Sequence, residues 1–167
     1  MTGIDFQAKI RLKFNRHASR TAYERLKVAT NENDSHEIYT AIGELLLWVI
    51  TTEEWHLAHG DKDYIKRRNE GKGVLIKGLR HAYNMVKHNM DFINIHQKEG
   101  GLTFPLEFPE SIPEITVVWM KAGEVLTGRH ESQKDNYINF VEGKEVLKTF
   151  NRALTFLNGE SYKYILE

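Results

Sequence analysis

The chain has no cysteine, which excludes disulfides and thiolate metal sites and makes a reducing cytoplasm the expected location. It also lacks a long hydrophobic run. The longest, from Leu45 to Ile50, is far too short to span a bilayer, so no membrane partner is expected. Its start, Met1-Thr2-Gly3-Ile4-Asp5, has no basic segment leading into an apolar one, and no secretory signal is expected. Net charge is absent too: 23 Lys and Arg balance 23 Asp and Glu, which argues against strong nonspecific attraction to nucleic acid through overall charge. Without repeats, low-complexity tracts or a linker, residues 1–167 read as one domain, long enough to bury a sizeable core.

What is present is ordinary in amount and uneven in placement. Hydrophobic residues make up 41% and charged residues 28%, the balance of a folded globular protein. Basic residues gather in the first half, as Arg11, Lys13, Arg16, Arg20, Arg25 and Lys27, and then from Lys62 through Arg80. Lys13, Arg16, Arg20 and Lys27 can share one helical face. This is a solvated face on the plainer reading and a track for phosphates leading toward Arg80 on the sharper one.

Periodicity predicts mainly helices. A first helix over about 5–29 has Phe6, Ile10 and Phe14 on its apolar face, joined later by Ala22, Leu26 and Ala29. Asn31 to Asp34 is turn chemistry, and Asp34 with Glu37 forms a capping-box variant opening a second helix that runs to His59, before Gly60. A third helix starts near Tyr64, weakens at Gly71 and Gly73, and continues from Val74 to His96. Leu102 to Phe108 alternates as an edge strand or arm bearing Pro105 and Pro109, and Ile115 to Met120 is expected to pair with it. The last helical region starts near Ser132 and is broken at Gly143. The expected fold is mainly α, a bundle of four to five helices with a small β insertion near 102–120.

Within the third helix, Arg80, Asn84 and His88 recur at a spacing of four, which turns only about 40° per step and aligns them on one polar stripe. A fixed cation, an amide and an imidazole in a row can hold a phosphate and move a proton. These three are the candidate catalytic residues. Lys77, His81, Tyr83 and Lys87 surround the stripe as candidate substrate-binding residues. Val74, Met85 and Phe92 form a further apolar strip, suited to a homodimer contact or to packing against the 102–120 segment. His56 and His59 with Glu53 imitate metal-ligand spacing but lack further convergent ligands, so no metal and no cofactor are expected. Trp48, Trp55 and Trp119 read as core or interface residues rather than base-stacking platforms, and Gly71-Lys72-Gly73 lacks the spacing of a phosphate loop.

A helical bundle carrying this polar helix resembles the HEPN superfamily, small all-α domains of toxin–antitoxin, abortive-infection and phage-defence systems. The resemblance covers about residues 34–96 and extends more weakly into the last helices. The family motif is an Arg, usually followed by a polar residue, then four to six residues and a His. His88 matches the His and Asn84 the polar residue, whereas Tyr83 occupies the place of the Arg. Arg80 lies one turn earlier, and a HEPN-like variant (Arg-Tyr, two residues, Asn, three residues, His) fits Arg80 to His88 apart from His81 at the Tyr position. The resemblance implies a HEPN-like topology and a metal-independent endoribonuclease acting on RNA as a homodimer, a toxin or phage-defence effector with an antitoxin or other protein partner. In such chemistry the ribose 2′-hydroxyl attacks, the His transfers the proton and the Arg steadies the charged phosphorane. The alternative is a catalytically inactive HEPN-like module that regulates or antagonises a partner protein, favoured by neutral net charge and by Tyr83.

Overall fold

Two long helices joined by a tight turn form the frame. In the computed structural model, which describes residues 4–88, 91–97, 115–122 and 131–165, α1 covers Phe6–Glu32 and α2 covers Ser35–His59. Asn33 closes α1 in the left-handed region at φ 55°, a conformation an Asn tolerates. The Asp34 carboxylate then accepts from the backbone N–H groups of His36 and Glu37 at 3.1 and 3.0 Å and starts α2. The Glu37 carboxylate takes the Arg25 guanidinium of α1, so the cap and a cross-helix ion pair meet at the same turn.

After α2 come a short α3, Tyr64–Arg68, a 3₁₀ turn over Gly71–Val74, and α4, Leu75–Lys87. Two strands follow, β1 at Ile93–Gln97 and β2 at Ile115–Trp119, and two helices close the chain, α5 at Glu131–Phe140 and α6 at Val146–Ile165. The protein is mainly helical, with six α-helices and a two-stranded sheet among the described residues. Gly143, at φ 67°, makes the expected break between α5 and α6, and its N–H donates to the Trp119 carbonyl at 2.9 Å.

Two expectations need correction, and a third is met by a pairing that the sequence reading did not name. First, the buried face of α1 is not the Phe6–Ile10–Phe14 line. Phe6 is 71% and Phe14 68% exposed, and the core side is Ala8, Leu12, Asn15, Ser19, Ala22, Leu26 and Ala29. Those positions alternate steps of four and three, a 3.5-residue repeat that keeps facing a neighbouring helix over the full length of α1. Steps of four alone drift by about 40° each and leave the interface. The small side chains let α1 approach α2 closely, with Leu12 and Leu26 fully buried between them.

Second, the helix expected to reach His96 ends at Lys87, with His88 as its C-cap, and Ile93–Gln97 is a strand. Asp91 and Asn94 are poor helix formers, and Ile93 and Ile95 alternate with polar residues as a strand does. Third, β2 pairs with β1, antiparallel, with Ile93 opposite Trp119 and Ile95 opposite Val117. The 102–108 segment named as its expected partner lies outside the described residues.

The core draws on α1, α2, α4, α5, α6 and β2. Trp119 is the pivot of the sheet's inner side, packed edge-on against Phe150 of α6 at 5.6 Å between ring centres and near Phe92 at 6.4 Å. Phe92 also meets Tyr39 of α2 at 5.3 Å. Met85 and Phe92 are therefore buried in the chain's own core. The strip that carried the homodimer expectation is used internally, and Phe92 against Trp119 is the alternative contact with the 102–120 segment.

Candidate functional site

The polar stripe of α4 exists, but its members turn to different neighbours. The helix buries Leu75, Ile76, Leu79 and Ala82 in the core and is pressed against α5 at Gly78, where a Cβ would come within 3.0 Å of the Asn136 carbonyl oxygen and 2.6 Å of Val141. Arg80 faces α2. One guanidinium nitrogen lies 2.6 Å from Glu53 Oε2 and 2.5 Å from Glu54 Oε1. Glu53 is completely buried and accepts a second guanidinium, that of Arg68, at 2.7 Å. One carboxylate in the interior thus joins α2, α3 and α4 through two arginines. Desolvation works against the charge on Arg80, but Glu53 and Glu54 together outweigh it and hold its pKa above the ordinary value.

Asn84 faces α5 instead and donates from Nδ2 to Gln133 Oε1 at 3.1 Å. His88 is exposed at the C-terminal end of the helix. It lies eight positions after Arg80, about 12 Å along the axis. The cation and the imidazole therefore do not converge on one phosphate-sized space in this chain. Of the expected substrate-binding residues, His81 is buried, with its ring 5.2 Å from that of Tyr137 and its pKa lowered by burial and by Lys134. Tyr83 is half-buried against the core with the Lys87 ammonium 5.6 Å over its ring, and Lys77 is half-buried. A substrate approaching from solvent would meet Lys87 and His88, not the full set.

A second polar centre lies at the far end of α2, around the His56 and His59 spacing that imitates a metal site. His56 is buried and its Nε2 lies 2.9 Å from Ser161 Oγ of α6. Ser161 itself donates to the Leu157 carbonyl at 2.6 Å, so the Nε2–H of a neutral His56 is the donor in the pair. The imidazole stacks on Tyr64 with centres 5.0 Å apart. Around it Arg67 bridges Asp61 at 2.9 Å and Glu160 at 2.6 Å, and Lys163 also pairs with Asp61. Among the described residues no group of three or more His, Asp or Glu is placed to hold a metal ion.

Burial pushes the His56 pKa down to about 4, against a weaker upward pull from Glu160. The unfolded chain binds the proton at its ordinary value, so stability falls as pH drops below about 6.5 and goes on falling until His56 titrates in the fold. Between pH 7 and pH 5 this one group should remove about 2 kcal/mol. Urea denaturation at both pH values tests it: the loss should shrink by that amount in His56→Gln. An unchanged loss in the variant would show that His56 is not the group responsible.

Sequence reasoning named Glu53 only as part of a metal mimic, and it missed Ser161. The signal for Glu53 was its place on the apolar face of α2 in register with Ile42, Leu46 and Val49, where a lone carboxylate has to find cations. No local signal links His56 to Ser161 across the length of the chain. Trp55 and Trp119 are buried, and the Trp55 indole N–H donates to the Ala8 carbonyl at 2.8 Å, as expected of structural tryptophans. No helix among the described residues is long and apolar enough to cross a membrane. Comparison with protein-family models, with curated proteins and with solved structures returns no match to this chain.

Proposed function

We propose that this chain is a HEPN-like helical domain that works by binding, regulating or antagonising a partner protein, and that its α4 motif has no ribonuclease activity. The observation that carries this reading is the placement of Arg80. Its charge is matched by Glu53 and Glu54 inside the protein, so it has little left to offer a phosphorane outside. Tyr83, in the position directly before Asn84, adds support, because a phenol cannot replace a guanidinium in holding a scissile phosphate bidentately.

The endoribonuclease reading keeps one favourable observation, the exposure of His88 beside Lys87 at the end of α4. A paired copy would then have to supply the missing cation. Since Met85 and Phe92 are used in the chain's own core, such a homodimer would be built on other faces. Expression in a bacterial host separates the two readings. The binding reading predicts growth that is the same for the wild type and for His88→Ala. Growth arrest by the wild type, relieved by His88→Ala at equal soluble yield, would contradict it.

A further inference from the structure

The outer side of α1 is the least expected surface of the molecule. Residues 6–23 carry Lys9, Arg11, Lys13, Arg16 and Arg20 and no Asp or Glu. That leaves 18 basic against 23 acidic residues elsewhere, so a chain of zero net charge concentrates +5 on one helix and −5 on the remainder. The same stretch exposes the two large aromatic side chains Phe6 and Phe14, 71% and 68% accessible. Isolated exposed apolar residues need no explanation, but two rings about 12 Å apart on a helix face lined by cations form a pattern.

The rows have an order. On a helix of 3.6 residues per turn, Lys9, Lys13, Arg16 and Arg20 fall within about 60° of one another, on the flank facing α6; Phe6 lies about 20° beyond the edge of this row and Phe14 about 100° beyond it, toward Arg11. The cation row borders the seam between α1 and α6. Two clefts open there, about 190 Å³ beside Lys9 and Lys13 and about 170 Å³ beside Arg16 and Arg20. From α6 the second cleft receives Asn151, Thr155 and Asn158, polar groups that both donate and accept, and Arg16 Nε donates to Asn158 Oδ1 at 3.0 Å. The only carboxylate of α6, Glu160, is bound to Arg67 on another side.

We infer that the α1–α6 seam is a binding surface for single-stranded polynucleotide, a site separate from the α4 motif and independent of the function proposed above. The backbone phosphates run along the cation row. The bases turn outward onto the faces of Phe6 and Phe14 or reach the amides and hydroxyl of α6. Such pairing of a basic track with aromatic platforms is the general means of holding a single strand without reading its sequence. An anionic membrane surface fits less well, because its helices carry cations on both flanks of a continuous apolar line. Here four of the five lie on one flank of the Phe6–Ile10–Phe14 line and only Arg11 on the other.

Fluorescence anisotropy tests the inference with labelled oligouridylate and oligodeoxythymidylate of about 15 nucleotides, a duplex of matching length, and phosphatidylserine vesicles. The full chain should bind at least one single strand more tightly than the duplex; comparison of the two oligomers shows whether the 2′-hydroxyl matters. Phe6→Ala with Phe14→Ala should weaken binding at least tenfold. Lys13→Ala with Arg20→Ala should weaken it and lower the slope of log affinity against log salt by roughly 1.4. All four side chains are exposed, so circular dichroism and the melting midpoint should stay at wild-type values. Equal or tighter binding to duplex, affinity unaltered by the phenylalanine changes, or binding to the vesicles alone would overturn the inference.

Discussion

Replacing Glu53 with alanine should destabilise the protein by about 3–5 kcal/mol, because it leaves two guanidiniums in the interior without their shared counter-charge. Arg68 and Arg80 come from different elements and meet only through this carboxylate, so α3 and α4 lose a common anchor on α2. Arg80 retains Glu54, which is largely exposed and can return less. A triple variant, Glu53→Leu with Arg68→Met and Arg80→Met, should recover most of the loss, since removing all the charges together leaves none unpaired. Urea denaturation of these two variants and the wild type reads both effects. A neutral Glu53→Ala would show that the interior cluster carries little of the stability.

The same geometry changes how Arg80→Ala must be interpreted. From the sequence it looks like a clean probe of a surface motif. In the fold it deprives a buried carboxylate of one of its two cations, and a loss of any activity would be confounded with a loss of stability. His88→Ala does not have this problem, because His88 is exposed at the helix end.

Phe150→Ala should cost about 3–5 kcal/mol as well, by leaving a cavity where α6 meets the sheet. Phe150 is fully buried and packs edge-on against Trp119, which in turn sits beside Phe92. The three rings come from α6, β2 and the segment ahead of β1, so the cavity would lie at the junction that holds the sheet on the helices. The denaturation midpoint should fall with the slope unchanged, and Trp119 fluorescence should report a looser environment. Against a total stability of about 5–15 kcal/mol, either substitution brings the fold near its limit.

The sequence was most informative where a period was sustained. The frame of α1 and α2, the Asp34 cap and the Gly143 break are all written in local chemistry. It misled where two periods competed. Phe6, Ile10 and Phe14 look like an apolar face because they are large, yet the steps of four and three through Ala8, Leu12 and Asn15 decide which side packs. The β1 strand was hidden because Ile93 also continues the helical pattern of Val86, and only the polar residues between them tip the balance. The candidate site was legible as a stripe on one helix but not in its partners. Glu53, Gln133 and Ser161 lie on other elements, and which of them each polar residue meets is fixed by helix packing rather than by local spacing.

Incubating the purified protein with varied RNAs in the presence of a metal chelator tests the central claim, that the α4 stripe serves structure rather than cleavage. The account predicts intact RNA with the wild type and with His88→Ala alike. Fragments ending in 2′,3′-cyclic phosphate or 3′-phosphate, formed by the wild type and lost in a fully folded His88→Ala, would contradict it.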